Sequence, residues 1–238
     1  LIVTGTDTGV GKTLVAGAIA RYFRRRGVRV GVLKPAATGC VRRREGLVSE
    51  DAEFLAHCAD TPFPLDVVCP ERYAEPLAPA VAAERAGIPL DWQSVQRSVD
   101  AITGESDVLI VEGVGGLMVP MDPRHTFLDV CKWLGSPTVI VSRPALGTIN
   151  HTLLTLDALR RAGVRVPGVV INRYPPETPP AAEETNPRAI ERWGKTRILC
   201  IVPDDPPGVL PLTLPPAITS AIGAVDWESL AGLANASS

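Results

Sequence analysis

Between a short apolar run, Leu1–Thr4, and a segment with 3.6-residue periodicity, Lys12–Arg26, stands Gly5-Thr-Asp-Thr-Gly-Val-Gly-Lys12-Thr13. A glycine-rich loop that leaves a buried strand and opens a helix permits few folds. It turns successive backbone N–H groups inward at the positive end of the helix, a cradle for phosphates. Lys12 can reach the outer phosphate oxygens, and the Thr13 hydroxyl is a ligand type for Mg²⁺. The usual G-x-x-x-x-G-K-[S/T] spacing puts its first glycine where Thr6 stands, with Gly5 beside it. A glycine turn without a ligand is the bland alternative. Strand, loop, Gly-Lys-Thr and helix nevertheless come in the order a nucleotide site requires. The sequence predicts a nucleoside triphosphate held by Gly9, Val10, Gly11, Lys12, Thr13 and Leu14.

Further apolar runs recur at Arg29–Leu33, Val108–Val111, Thr138–Val141, Val169–Ile171 and Arg197–Ile201. Short, nearly continuous runs of this kind suit strands buried on both faces of a parallel sheet. Helical periodicity at Asp91–Thr103 and Asn150–Ala162 alternates with them. The expected fold is α/β: a single-domain P-loop NTPase-like parallel sheet flanked by helices on both faces. Arg24–Arg26 before Gly27 reads as cations in a last helical turn followed by a cap. At 238 residues, with no internal repeat or linker, the chain 1–238 reads as one domain. Of 23 prolines, 11 fall between Pro175 and Pro216, so 174–180 and 203–216 read as loops; the tail 217–238 has no assignment.

Composition narrows the partners. The chain carries 24 Lys and Arg against 26 Asp and Glu, a net charge of −2, which gives no case for nucleic acid or an anionic membrane. No apolar run approaches the roughly 18 residues that span a bilayer, and no signal-type segment is present, although the chain opens on Leu1 rather than Met. Five cysteines without C-x-x-C spacing point to buried thiols in a reducing, cytoplasmic setting. His57, His125 and His151 lack metal spacing and read as structural. Arg42–Arg44 reads as a solvated run that could cover the site.

Ligands of an open parallel sheet bind beyond the carboxyl ends of its strands. Basic residues here are 20 Arg and only four Lys, so each Lys merits a reason. Lys34 ends the second run, where with Lys12 it would concentrate positive charge beside a γ-phosphate. Glu112 follows the third run as a Walker-B-like acid, ahead of Gly113, Val114 and Gly115. Asp51 is either a helix N-terminal acid or a second Mg²⁺ ligand. The same edge receives Gly147, Thr148, Ile149 and Asn150, then Asn172 and Arg173, then Pro203, Asp204 and Asp205.

Together, Val-Thr-Gly-Thr-Asp-Thr-Gly-Val-Gly-Lys12-Thr13, Lys34-Pro-Ala-Ala-Thr38-Gly39, Ala74-Glu-Pro76-Leu-Ala-Pro79, Val111-Glu112-Gly-Val-Gly-Gly116 and Leu146-Gly147-Thr-Ile-Asn150-His151 resemble the dethiobiotin synthetase family, up to about Pro203. The resemblance implies an ATP- and Mg²⁺-dependent ligase that joins CO₂ to 7,8-diaminononanoate in biotin biosynthesis. It implies Lys12 on the phosphates and Lys34 between carbamate and γ-phosphate, with Thr13, Asp51 and Glu112 on Mg²⁺. Thr38 would meet the substrate's nitrogen end, Asn172 would read the base with Pro203–Asp205 lining its pocket, and Gly113, Val114, Gly115 and Arg173 would be among the ATP contacts. Gly147–Asn150 would hold the substrate carboxylate across a homodimer interface. The chain departs from some members at Gly9, where they carry Glu. Two alternatives stand beside this reading. Partition and septum-type ATPase switches carry a Lys where this chain has Asp7, and cobalamin-pathway amide ligases are generally longer.

Overall fold

The six apolar runs form six strands: β1 (Ile2–Gly5), β2 (Val30–Leu33), β3 (Val108–Glu112), β4 (Thr138–Ser142), β5 (Val169–Tyr174) and β6 (Ile198–Pro203). They were obtained in a computed structural model that describes residues 1–44, 46–175, 181–205 and 213–233. All pair in parallel, in the order β6-β5-β4-β1-β3-β2. β1 is central; the chain builds β2 and β3 on one side of it and then crosses to build β4, β5 and β6 on the other, and this reversal opens a crevice beyond its carboxyl end.

Ten helices lie among the described residues: α1 (Lys12–Arg24), α2 (Glu50–Ala59), α3 (Leu65–Val68), α4 (Pro79–Ala86), α5 (Trp92–Glu105), α6 (Phe127–Leu134), α7 (Thr148–Arg161), α8 (Ala181–Gly194), α9 (Pro216–Gly223) and α10 (Trp227–Ala231). Alternation along the strands divides the core. Val3, Val32 and Ile110 face α1, α2, α9 and α10 through Ile19, Phe23, Leu55 and Trp227. Ile2, Val111 and Ile140 face α5–α8 through Ile102, Phe127, Leu156 and Ile190. Helices thus cover both faces, as the runs predict. None of the described helices is long and apolar enough to cross a membrane.

Some elements differ from the sequence reading. α7 starts at Thr148, two positions before the apolar periodicity, which moves Asn150 inside its first turn. α6 was not foreseen; its capping box joins Thr126 and Asp129. α8 runs through Pro187, which has no N–H for the carbonyl of Glu183. The Tyr174 hydroxyl donates to that carbonyl instead, at 3.4 Å. Of Arg24–Arg26 only Arg24 falls in the last turn of α1, where it pairs with Asp60 at 2.6 Å; Arg26 lies past the helix end, 3.7 Å above the Tyr22 ring. Arg42 and Arg43 lie on an exposed strand, Val41–Arg43, paired antiparallel with Gly46–Val48. Of the two proline-rich loops and the tail, positions 176–180, 206–212 and 234–238 lie outside the described residues.

The described part of the unassigned tail, 217–233, contributes to the core. Trp227 is fully buried, and its Nε1–H donates to the Ile222 carbonyl at 2.8 Å. Trp227→Ala should therefore lower unfolding free energy by about 3–5 kcal/mol in urea titrations, the usual cost of emptying a buried aromatic site. A change below about 0.5 kcal/mol would place the tail outside the cooperative fold.

Candidate active site

The phosphate loop enters α1 at Gly11, whose φ of 87° is the left-handed region where glycine carries no steric cost. A second reason for glycine comes from β5. A Cβ on Gly11 would sit 2.0 Å from Asn172 Nδ2. That nitrogen donates to the Val10 carbonyl at 2.9 Å, so the end of β5 braces the loop from beneath. Asn172 is fully buried and its Oδ1 has no hydrogen-bond partner. Next to it, Arg173 holds a φ of 60°, unusual for a residue with a side chain.

Three elements converge in front of the loop. Thr13 at the start of α1 donates its hydroxyl to Glu112 Oε1 at 2.7 Å, at the end of β3. Lys34, just past β2, brings Nζ to 3.0 Å from the same oxygen and 2.9 Å from Asp51 Oδ2 on α2. The Asp51 carboxylate also lies beside the Thr13 side chain. Ser49 caps α2 by accepting the Ala52 N–H, which leaves the Asp51 side chain to the site rather than to its own helix end. Lys12 Nζ donates to the Asp7 carbonyl at 3.1 Å, across the loop. The walls, with Gly9, Gly11, Thr38, Gly113–Gly115 and Arg173, enclose a cleft of about 270 Å³.

Burial controls the charges. It opposes a positive Lys34 most strongly, but Glu112 and Asp51 outweigh it and hold the ammonium above its ordinary range. Lys34 is consequently a fixed cation, unsuited to proton transfer at neutral pH. Burial pushes Glu112 up, against the pull of Lys34 and the Thr13 hydroxyl. Asp51 is also disfavoured by burial, yet Lys34 draws it below the usual carboxylate value. Lys12 falls to about 8, chiefly by burial, with Glu112 opposing and Lys34 reinforcing the fall.

The Thr13 hydroxyl and the two carboxylates are a hard-oxygen set of the kind Mg²⁺ takes, and Glu112 Oε2 is buried without a partner. The residues fit that ion, which takes its other ligands from phosphates and water and needs no larger protein cluster. Among the described residues, no group of three or more His, Cys, Asp or Glu forms a metal cage.

The remaining predicted residues are not among those that line this cleft. Val10 and Leu14 sit in the loop and first turn of α1, and Pro203–Asp205 continue from β6, with Asp204 N–H donating to the Tyr174 carbonyl at 3.0 Å. Gly147 begins α7 without any side-chain cap, so Asn150 does not cap its own helix. A second cleft, of about 490 Å³, was not foreseen. Thr6–Thr8, Gly116–Val119 and the α7 residues His151, Leu154, Thr155 and Ala158 line it. Met118, Leu146 and Leu154 are exposed there or at the start of α7, at 59, 84 and 61%.

Residues 1–209 match the family described as an AAA domain. The chain is 39% identical over 208 residues to the ATP-dependent dethiobiotin synthetase BioD of Thermodesulfovibrio yellowstonii, covering 84% of this chain and 87% of the relative. It is 41% identical over 206 residues to that of Anaeromyxobacter sp. (strain K), covering 87% and 90%. The chain belongs to the dethiobiotin synthetase family. The synthetase of Methanocaldococcus jannaschii is 37% identical over 206 residues, covering 85% and 92%. The MinC:MinD cell division complex of Aquifex aeolicus is similar in fold, with a TM-score of 0.51 at 18% identity, covering 86% and 81%.

The depressed Lys12 generates a pH dependence. A triphosphate binds the ammonium form, so apparent affinity should be nearly constant below the folded value of about 8 and fall as pH rises through it. Titration calorimetry with ATP should show affinity about tenfold weaker at pH 9 than at pH 7, with proton uptake on binding at the higher pH. Lys12→Arg, which stays charged, should flatten the profile.

Proposed function

We propose that the chain forms dethiobiotin from 7,8-diaminononanoate, CO₂ and ATP, as a carbon–nitrogen ligase of biotin biosynthesis. The observation that carries this reading is Lys34, a buried cation held between Glu112 and Asp51 in front of a phosphate loop. One substrate amine takes up CO₂ and releases a proton, forming a carbamate. A carbamate oxygen attacks the γ-phosphorus, and the bond to the ADP oxygen breaks. The second amine then attacks the carbonyl carbon of this mixed anhydride, expels phosphate and closes the ureido ring.

Each residue has a task in that sequence. Lys12 and the loop N–H groups hold the phosphates. Lys34, permanently charged, draws carbamate and γ-phosphate together and stabilises the charge that builds on the transferred group. Thr13, Asp51 and Glu112 would hold Mg²⁺, which supplies charge neutralisation on the phosphate oxygens. Thr38 lines the cleft and would meet the amines. Asn172 Oδ1, buried without a partner, is an acceptor for an exocyclic amine of the base, with Arg173 and Pro203–Asp205 beside it. The uncapped start of α7 would bind the substrate's carboxylate through its free N–H groups. A diamine with a distant carboxylate is too long for one phosphate-loop edge, and the apolar Met118, Leu146 and Leu154 suit a two-fold contact that brings α7 of a second copy to the site. Asp7, where partition-type switches carry Lys, weighs against a DNA- or membrane-coupled ATPase.

An assay with ATP, bicarbonate and diaminononanoate, read by product mass, tests the activity; hydrolysis that ignores the diamine would overturn it. Lys34→Met should leave ATP affinity within about threefold and reduce turnover by two or more decades, since a cation acting on developing charge contributes about 3 kcal/mol or more in the transition state. Asn150→Ala should raise KM for the diamine acid alone, modestly, because a helix-terminus contact contributes about 0.3–2 kcal/mol. Mixing Lys34→Met with a variant inactivated in 147–150 should restore part of the activity through hybrid dimers. Hybrids that stay inactive despite demonstrated subunit exchange would rule out a shared site.

A further inference from the structure

A third pocket lies between α5 and α6, in the helical layer on the opposite face of the sheet from α1. It shares no residue with the triphosphate cleft. Its walls are Trp92, His125 and Trp133, completed by Gln96, Asp129 and Val130 around about 360 Å³. Trp92 is anchored, because its Nε1–H donates to Asp122 Oδ2 at 2.6 Å. The same carboxylate oxygen lies 2.9 Å from His125 Nδ1 and fixes the second ring. His125 stands 5.5 Å from Trp92 at 76° between ring planes, and Trp133 stands 6.5 Å from Trp92 at 80°. Two rings therefore stand nearly perpendicular to a third that cannot move away.

Packing explains Trp92 and His125, which tie the 121–126 loop to α5. It does not explain Trp133, an indole 44% exposed on the surface of α6. Asp129 stands one turn before Trp133 and adds negative charge to the aromatic walls. The Thr126 backbone N–H, the main influence on it, holds its carboxyl below the usual range, so it is ionised at neutral pH. Lys132 pairs with that carboxylate at 3.8 Å from a half-exposed position. Aromatic faces at right angles beside a carboxylate complement a cation with a weakly held hydration shell.

We propose that this pocket binds a quaternary ammonium group. Ring faces and Asp129 attract its diffuse charge, while the methyl groups fill the apolar walls without losing strong hydrogen bonds to water. Primary ammonium groups are more strongly hydrated and should bind less well. The group could belong to a free small molecule or to a methylated lysine on a protein, and both present the same chemistry.

Calorimetric titrations of the full chain would use choline, its neutral isostere 3,3-dimethylbutan-1-ol, and a short trimethyl-lysine peptide. Choline should bind about tenfold or more tighter than the isostere, since only the cation is attracted by the rings. Trp133→Ala should weaken choline about tenfold, and Trp133→Phe by an intermediate factor, with ATP-dependent turnover unchanged in both as the control for folding. Tighter binding of the peptide than of choline would assign the natural ligand to a protein, and the reverse to a free molecule; either supports the pocket. Equal affinity for choline and the isostere, no binding up to millimolar concentration, or choline binding unchanged by folded Trp133 variants would overturn the proposal.

Discussion

Lys34 brings a positive charge to a place with almost no access to water, and this is tolerated because Glu112 and Asp51 reach it from two other elements. Breaking the buried Lys34–Glu112 pair by removing one partner would cost about 3–5 kcal/mol, and the half-exposed Asp51 adds less. The ends of β2 and β3 and the start of α2 are therefore held at one distance from each other. Thr13 adds α1 to the same group through Glu112. The geometry of the cleft follows from this charge arrangement, and the sheet beneath supplies a rigid edge on which to mount it.

The arrangement also explains why the site works with so few charged residues. A buried ammonium that cannot lose its proton is poor at acid–base chemistry and well suited to electrostatic stabilisation. Lys12, by contrast, is lowered to about 8 by burial, so it keeps most of its charge at neutral pH and loses it only in mildly alkaline solution. Two lysines of identical chemistry thus differ because one has carboxylates in contact and the other has mainly burial. A substrate polyanion entering the cleft completes the balance of charge.

Much of this was legible in the sequence, for a physical reason. Strands of a parallel sheet are buried on both faces, so their apolar runs are continuous, and chemistry placed at their ends stands out. Gly9–Thr13, Lys34 and Glu112 were visible in this way. Asp51 was ambiguous until the Ser49 cap showed that its helix end was already satisfied. What was hidden depended on tertiary contact or on weak local pattern. α6 spans only Phe127–Leu134, too short for its periodicity to register. α8 was masked by Pro187 and by its polarity, and α9 by a proline-rich approach. The second cleft joins β1, β3 and α7 segments that no spacing rule connects.

The contact of Asn172 with Val10 and Gly11 has a consequence for how nucleotide choice can change. The same amide group that would face a base also carries the weight of the phosphate loop. Here a larger or differently shaped side chain at 172 would tilt the loop as well as alter the pocket. Drift toward another nucleobase would thus need a compensating change in the loop itself, and the two positions should vary together or not at all.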